Sequence, residues 1–135
     1  MKILVPVIHW SVSSEAAYQI SDIAHSLGAD IYVLFIVPAM GANSYVKGDL
    51  AIEIFEEAVQ HYNVDVDGDV VAGDTCEVVL NFASKERVDL ILLGSDGEEE
   101  DDWRRFSQEL IPLAACEVQH LDDVLQIDTS IAADG

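Results

Sequence analysis

The pattern that most constrains this chain is the alternation of short apolar runs with longer amphipathic stretches. Runs rich in Val, Ile and Leu occupy residues 3–7, 31–37 and 90–93, and each is followed by a stretch whose apolar residues recur at helical spacing. Strands buried on both faces of a sheet have such continuous apolar runs. Strands that alternate with helices favour an α/β fold, a parallel sheet with helices on both faces.

Two further runs complete a predicted five-stranded sheet. Residues 64–72 alternate apolar residues with aspartates, which predicts an edge strand with one face in water. Residues 118–121 predict a short fifth strand. The pattern therefore predicts one α/β domain over residues 1–121, followed by a C-terminal tail at 122–135.

Helix starts are predicted from capping residues. Asp49 follows a loop of small residues at 38–48 and is suited to cap the second helix. Asp74 and Glu77 have the spacing of a capping box, which predicts the start of the third helix. The fourth helix is predicted to open near Trp103.

The end of the fourth strand is the most informative place for function. Ligands of parallel sheets bind beyond the carboxyl ends of the strands, where the strand order reverses. In the usual five-stranded order that point lies between strands 1 and 4, so a site would use the loops at 8–11 and 94–102. Gly94 and Gly97 would leave backbone N–H groups for a phosphate, or they serve only to shape a tight loop. The same loop carries five consecutive carboxylates at 98–102, where a phosphate would need positive charge.

The charge balance excludes several classes of partner. The chain has 26 acidic and 6 basic residues, a formal net charge of −20. Nucleic acid and anionic membranes would be repelled, and the apolar run at 31–37 is too short to cross a bilayer. Acidic residues distributed along the whole chain indicate a halophilic cytoplasm, with an acidic partner-binding face as the alternative. No signal peptide is visible, which favours a cytoplasmic location.

Metal binding and catalysis find little support in the sequence. Cys76 and Cys116 lack the spacing of a zinc site, and the histidines are scattered along the chain. The acidic run at 98–102 does not have the spacing of a calcium-binding loop. No Gly-x-Ser-x-Gly turn or phosphate-binding loop with a lysine is present. We therefore predict no metal site and no catalytic residue, and whether the protein is an enzyme stays open.

Three segments resemble the universal stress protein family. They are Ile-Leu-Val-Pro-Val at 3–7, Leu-Gly-Ala-Asp at 27–30 and Asp-Leu-Ile-Leu-Leu-Gly-Ser at 89–95. Their order and spacing match the family over residues 1–121. The resemblance implies the adenine nucleotide alpha hydrolase-like, Rossmann-like sandwich. It also implies a homodimer formed through the last strand, and ATP binding in some members.

The ATP-binding members of that family carry Gly, two residues, Gly, nine residues, then Gly followed by Ser or Thr. Gly94 and Gly97 match the first two positions, and counting on places Ser107 and Gln108 at the last two. The third glycine is therefore missing. On the positions that resemble the family's nucleotide site, the candidate residues are Val7, Ile8, His9, Val37, Gly94, Ser95, Gly97, Ser107 and Gln108.

Two departures from the family pattern weaken the expectation of ATP binding. If the count is anchored on Cys116, which resembles the family's cysteine before the last strand, the last two positions fall at Arg104 and Arg105. The family's ribose-binding aspartate after the first strand is replaced by Ile8, or by His9 if one residue is inserted. Either alignment lacks the glycine that precedes the hydroxyl residue.

Two hypotheses follow for function. The first is a dimeric stress-response module that acts through protein contacts, has weak or lost nucleotide binding, and associates through the strand at 118–121. The second is an ATP-binding protein with an altered glycine loop and slow ATP hydrolysis. The two hypotheses accordingly differ in the expected cofactor, which is either none or ATP or AMP.

Overall fold

The computed structural model describes residues 1–8, 14–37, 39, 41, 43–93 and 100–121. Within these residues, strands and helices alternate from the first element to the last. In chain order they are β1 Lys2–Ile8, α1 Ser14–Leu27, β2 Asp30–Val37, α2 Ser44–Ala58, β3 Val66–Ala72, α3 Thr75–Lys85, β4 Leu90–Leu93, α4 Glu100–Leu110 and β5 Glu117–His120. The predicted tail at 122–135 lies outside the described residues.

The strands of the described chain form one five-stranded sheet in the order β3-β2-β1-β4-β5. Every neighbouring pair in it is parallel. The predicted α/β class is confirmed, and the alternating strand at 64–72 is confirmed as an edge strand, β3.

The sheet separates two apolar cores, one on each face. Successive side chains of a strand point to opposite faces, so neighbouring residues of β1 belong to different cores. Val5 and Leu92 pack with Phe55 of α2 and with α1, whereas Leu4 packs on the other face with residues of α3 and α4. β4, which lies between β1 and β5, is buried along its whole length. The predicted arrangement of helices on both faces is therefore confirmed.

The predicted start of α2 at Asp49 is wrong, because the helix begins at Ser44. The Ser44 hydroxyl accepts a hydrogen bond from the Gly41 N–H at 2.9 Å, which closes the turn before the helix. Gly48 lies inside the helix, although glycine disfavours helix by about 1 kcal/mol. It is buried against Val70 of β3, so packing overrides the local preference.

The other boundaries differ less from the prediction. Asp74 is confirmed as the N-cap of α3, since its carboxylate accepts a hydrogen bond from the Glu77 N–H at 3.1 Å. The prediction that α4 opens near Trp103 is late, because the helix starts at Glu100. The predicted strand at 118–121 is found one residue earlier, as β5.

Candidate functional site

The strand order reverses between β1 and β4, as predicted. After β1 the chain continues into α1 on one face of the sheet, and after β4 it continues into α4 on the other face. In parallel sheets with such a reversal, ligands bind beyond the carboxyl ends of the two strands that flank it, which here are β1 and β4. The predicted site residues His9, Gly94, Ser95 and Gly97 belong to these connections and lie outside the described residues.

The carboxyl edge of the sheet is stepped at this reversal. Ile3 pairs with Leu90 and Leu4 with Ile91, so the same register places Leu93, the last residue of β4, beside Pro6. β1 therefore continues two residues beyond β4, about 7 Å at 3.3 Å per residue. On its other side, β1 is matched by β2 to its end, since Ile8 pairs with Ile36. A ligand above β4 would have the end of β1 as a wall.

The structure brings three predicted site residues together at the upper part of this step. Val7 and Ile8 end β1, and Val37 ends the neighbouring β2. The Val7 side chain is fully buried in the core beneath α1 and α2, so it supports the wall rather than presenting a ligand-binding group. Val37 is half-buried against the same core, and its carbonyl accepts the Gly73 N–H at 3.0 Å.

Ser107 and Gln108 lie apart from this step, along the body of α4. Ser107 comes seven residues after Glu100, which is about 10 Å along the helix axis. Its carbonyl accepts the ordinary helical hydrogen bond from the Ile111 N–H at 3.0 Å. Gln108 is exposed, as is Arg105 of the alternative alignment. The last two positions of the motif should hold phosphate. Neither alignment places these two positions in the first turn of α4.

The first turn of α4 consists of Glu100, Asp101 and Asp102. The first N–H groups of a helix have no partner within it, and the helix dipole makes this end attractive to anions. In related architectures that end receives a phosphate. In this sequence all three residues at that end of the helix are acidic. The acidic run was the signal in the sequence for an earlier helix start, because carboxylates are favoured in a first turn.

The pKa values of both cysteine thiols are raised in this fold. Cys76 is the second residue of α3, at the carboxyl edge of the sheet. Burial, followed by the charges of Glu109 and Asp74, raises the pKa of its thiol. Burial and the charge of Asp89 raise the pKa of the Cys116 thiol. Thiolate is the reactive form, so these environments favour the inert thiol.

Among the described residues, an ion pair and the absence of a metal-binding group bear on the electrostatics of the fold. An ion pair found among them joins Lys2 and Glu86 at 3.5 Å, and Lys2 begins β1 at the opposite edge of the sheet. In the described ranges, His, Cys, Asp and Glu side chains form no group that could hold a metal ion. A membrane-spanning helix is likewise absent from the part of the chain that the structure describes.

Comparison with curated proteins finds a relative among the universal stress proteins. A universal stress protein of Methanocaldococcus jannaschii is 25% identical over an alignment of 111 positions, which covers 72% of this chain and 65% of that protein. The chain thus spans just under two thirds of the length of this relative.

Solved structures show the same fold at low sequence identity. The universal stress protein of Archaeoglobus fulgidus in complex with dAMP superimposes with a TM-score of 0.66 at 15% identity, covering 89% of this chain and 96% of that one. A universal stress protein family protein of Arabidopsis thaliana with AMP bound has a TM-score of 0.65 at 20% identity, covering 89% and 90%. The family model of the universal stress proteins matches residues 1–111. The chain therefore belongs to the universal stress protein family.

Proposed function

We propose that this protein is a stress-response module that acts through protein contacts and whose binding of adenine nucleotides is weak or lost. The observation that carries the proposal is the start of α4 at Glu100, with carboxylates at 100–102 in its first turn. A phosphate approaching this helix end meets negative charge at the position where the helix would otherwise attract it.

The size of this repulsion is enough to decide binding. Two like charges 4 Å apart repel by about 1 kcal/mol in bulk water and by about 4 kcal/mol at an effective dielectric constant near 20. Each 1.4 kcal/mol corresponds to about a tenfold change in affinity. Because ATP carries more negative charge than AMP, the acidic helix start should disfavour ATP more strongly.

The second candidate is an ATP-binding protein with an altered glycine loop and slow ATP hydrolysis. The step between the carboxyl ends of β1 and β4 supports it, since this is where ligands of parallel sheets bind. Similar folds hold adenine nucleotides, cAMP in one universal stress protein and AMP in the Arabidopsis protein. High salt would screen the carboxylates and favour this candidate.

A charge-matched comparison separates the two candidates. One variant replaces the carboxylates at 100–102 by the corresponding amides, and a control replaces the exposed Glu53, Glu56 and Glu57 of α2 by Gln. Calorimetric titration with ATP and AMP in dilute salt should show tighter ATP binding, by about tenfold or more, in the first variant alone. Wild-type protein that purifies with bound ATP, or that binds ATP as tightly as the variant, would establish the second candidate instead.

The assembly and the cellular setting are part of the same proposal. β5 is an edge strand of the described sheet, which supports a homodimer in which it pairs with its symmetry mate. A net charge of −20 supports a cytoplasm rich in salt, where screening reduces the repulsion between carboxylates.

A further inference from the structure

The other edge strand of the described sheet, β3, pairs with β2 along one side. The Asp65 carbonyl accepts the Ile31 N–H at 2.9 Å, and the Gly73 N–H donates to the Val37 carbonyl at 3.0 Å. In a parallel strand, alternate residues direct their backbone groups to the same side. Odd-numbered residues of β3 therefore bond to β2. The even-numbered residues direct their N–H groups away from the sheet: Val66, Gly68, Val70 and Ala72.

Two of these outward N–H groups already have partners. The Gly68 N–H donates to Asp67 Oδ1 at 2.8 Å, and the Val70 N–H donates to Asp69 Oδ1 at 2.9 Å. Both aspartates are exposed. Each one thus occupies the donor that a strand added at this edge would need, and strand addition would also force two carboxylates out of water.

The edge at β5 is different. Its side-chain hydrogen bond joins Gln119 Nε2 to Glu117 Oε1 at 2.6 Å and uses no backbone group. Among the contacts of the described residues, no side chain takes a backbone N–H of β5. Within the described sheet, both strands pair on one side only. The difference between the two edges therefore lies in the aspartates of β3.

We infer that β3 is a closed edge, where Asp67 and Asp69 prevent a second copy of this chain from adding a strand by occupying the Gly68 and Val70 N–H groups. This inference does not depend on nucleotide binding. It is also independent of the proposed dimer, since that dimer uses β5 at the other end of the sheet.

The test replaces both aspartates by Val, which removes the acceptors and leaves a strand-forming side chain. A control replaces the exposed Glu53 and Glu57 of α2 by Val, giving the same change in charge and apolar content away from any sheet edge. Sedimentation is measured over a range of protein concentrations in about 1 M KCl, where the Debye length is about 3 Å, so that differences in charge repulsion are small.

At the highest concentration, the Asp-to-Val variant should have at least twice the average mass of the wild type and of the control. Hydrogen exchange at Gly68 and Val70 should slow with concentration in that variant alone, which distinguishes strand pairing from unspecific aggregation. A third variant, Asp67→Asn with Asp69→Asn, keeps an oxygen acceptor and should behave as the wild type. The inference is overturned if the Val variant matches the wild type, or if the control or the Asn variant assembles as the Val variant does.

Adding Val118→Pro to the Val variant separates this edge from the proposed dimer. Proline removes a backbone donor from β5 and should block pairing there. Association at β3 should persist in the combined variant, since it uses the opposite edge. Loss of all association would show that the aspartates do not close β3.

Discussion

The close approach of α2 to β3 depends on a glycine in the strand, and this makes Gly68→Ala a sharp test of the packing. An added Cβ at Gly68 would lie 2.6 Å from both Cδ1 and Cγ1 of Ile52 and 3.0 Å from the Val33 carbonyl oxygen, whereas ordinary contacts span 3.4–4 Å. Ile52 can shift part of its side chain. The Val33 oxygen belongs to the backbone of β2 and cannot move without disturbing the sheet.

Two opposing effects determine the expected change in stability. Alanine is favoured over glycine in a strand by about 0.5–1 kcal/mol, because it loses less backbone entropy on folding. Overpacking a well-filled site costs about 1–3 kcal/mol. The second effect should win, so we expect Gly68→Ala to lower the free energy of unfolding by about 0.5–2 kcal/mol, with a fall in Tm of roughly 2–8 °C per kcal/mol.

The assay is urea unfolding at fixed KCl, followed by circular dichroism, for Gly68→Ala, Ile52→Ala and the double variant. Removing the Ile52 side chain relieves two of the three close contacts. The double variant should therefore be more stable than the sum of the single effects predicts, by about 0.5–2 kcal/mol.

Gly41→Ala is the matched control. The nearest atom to its added Cβ is Ser44 Oγ at 3.8 Å, so its stability should stay within about 0.5 kcal/mol of the wild type. A Gly68→Ala protein that is as stable as the wild type, or effects that add independently with Ile52→Ala, would refute the packing argument.

Two further predictions concern charge and the thiols. The Tm of the wild type should rise between about 0.1 and 1 M KCl, because the Debye length falls from about 10 to about 3 Å. The rise should be smaller in a variant with Gln at 98–100. A wild-type Tm that does not change with KCl would contradict haloadaptation. Because burial and nearby carboxylates raise the pKa of Cys76 and Cys116, the alkylation rate of the folded protein should reach half its maximum at a higher pH than that of the urea-unfolded chain. The raised thiol pKa values also predict a contribution to the free energy of unfolding. It is fully present at pH values below the ordinary thiol pKa and is lost as the pH rises through the thiol pKa values of the folded protein. Equal midpoints for folded and unfolded protein would contradict the raised pKa values.

The candidate site could be predicted only in part. The sequence indicated the switch point, and the fold places Val7, Ile8 and Val37 at neighbouring strand ends. It could not locate Ser107 and Gln108, because counting along a motif does not reveal where a helix begins. The start of α4 at Glu100 moves both residues into the body of the helix.

The sequence by itself determined the α/β class and the edge position of β3. A strand buried on both faces requires a continuous apolar run, and a strand with one wet face alternates, so both features can be read from composition along the chain. Only the tertiary structure decided that α2 begins at Ser44 and passes through Gly48, and that the N–H groups of Gly68 and Val70 face outward. Local preferences differ by only about 1 kcal/mol per residue, so contacts between residues distant in sequence determine such details.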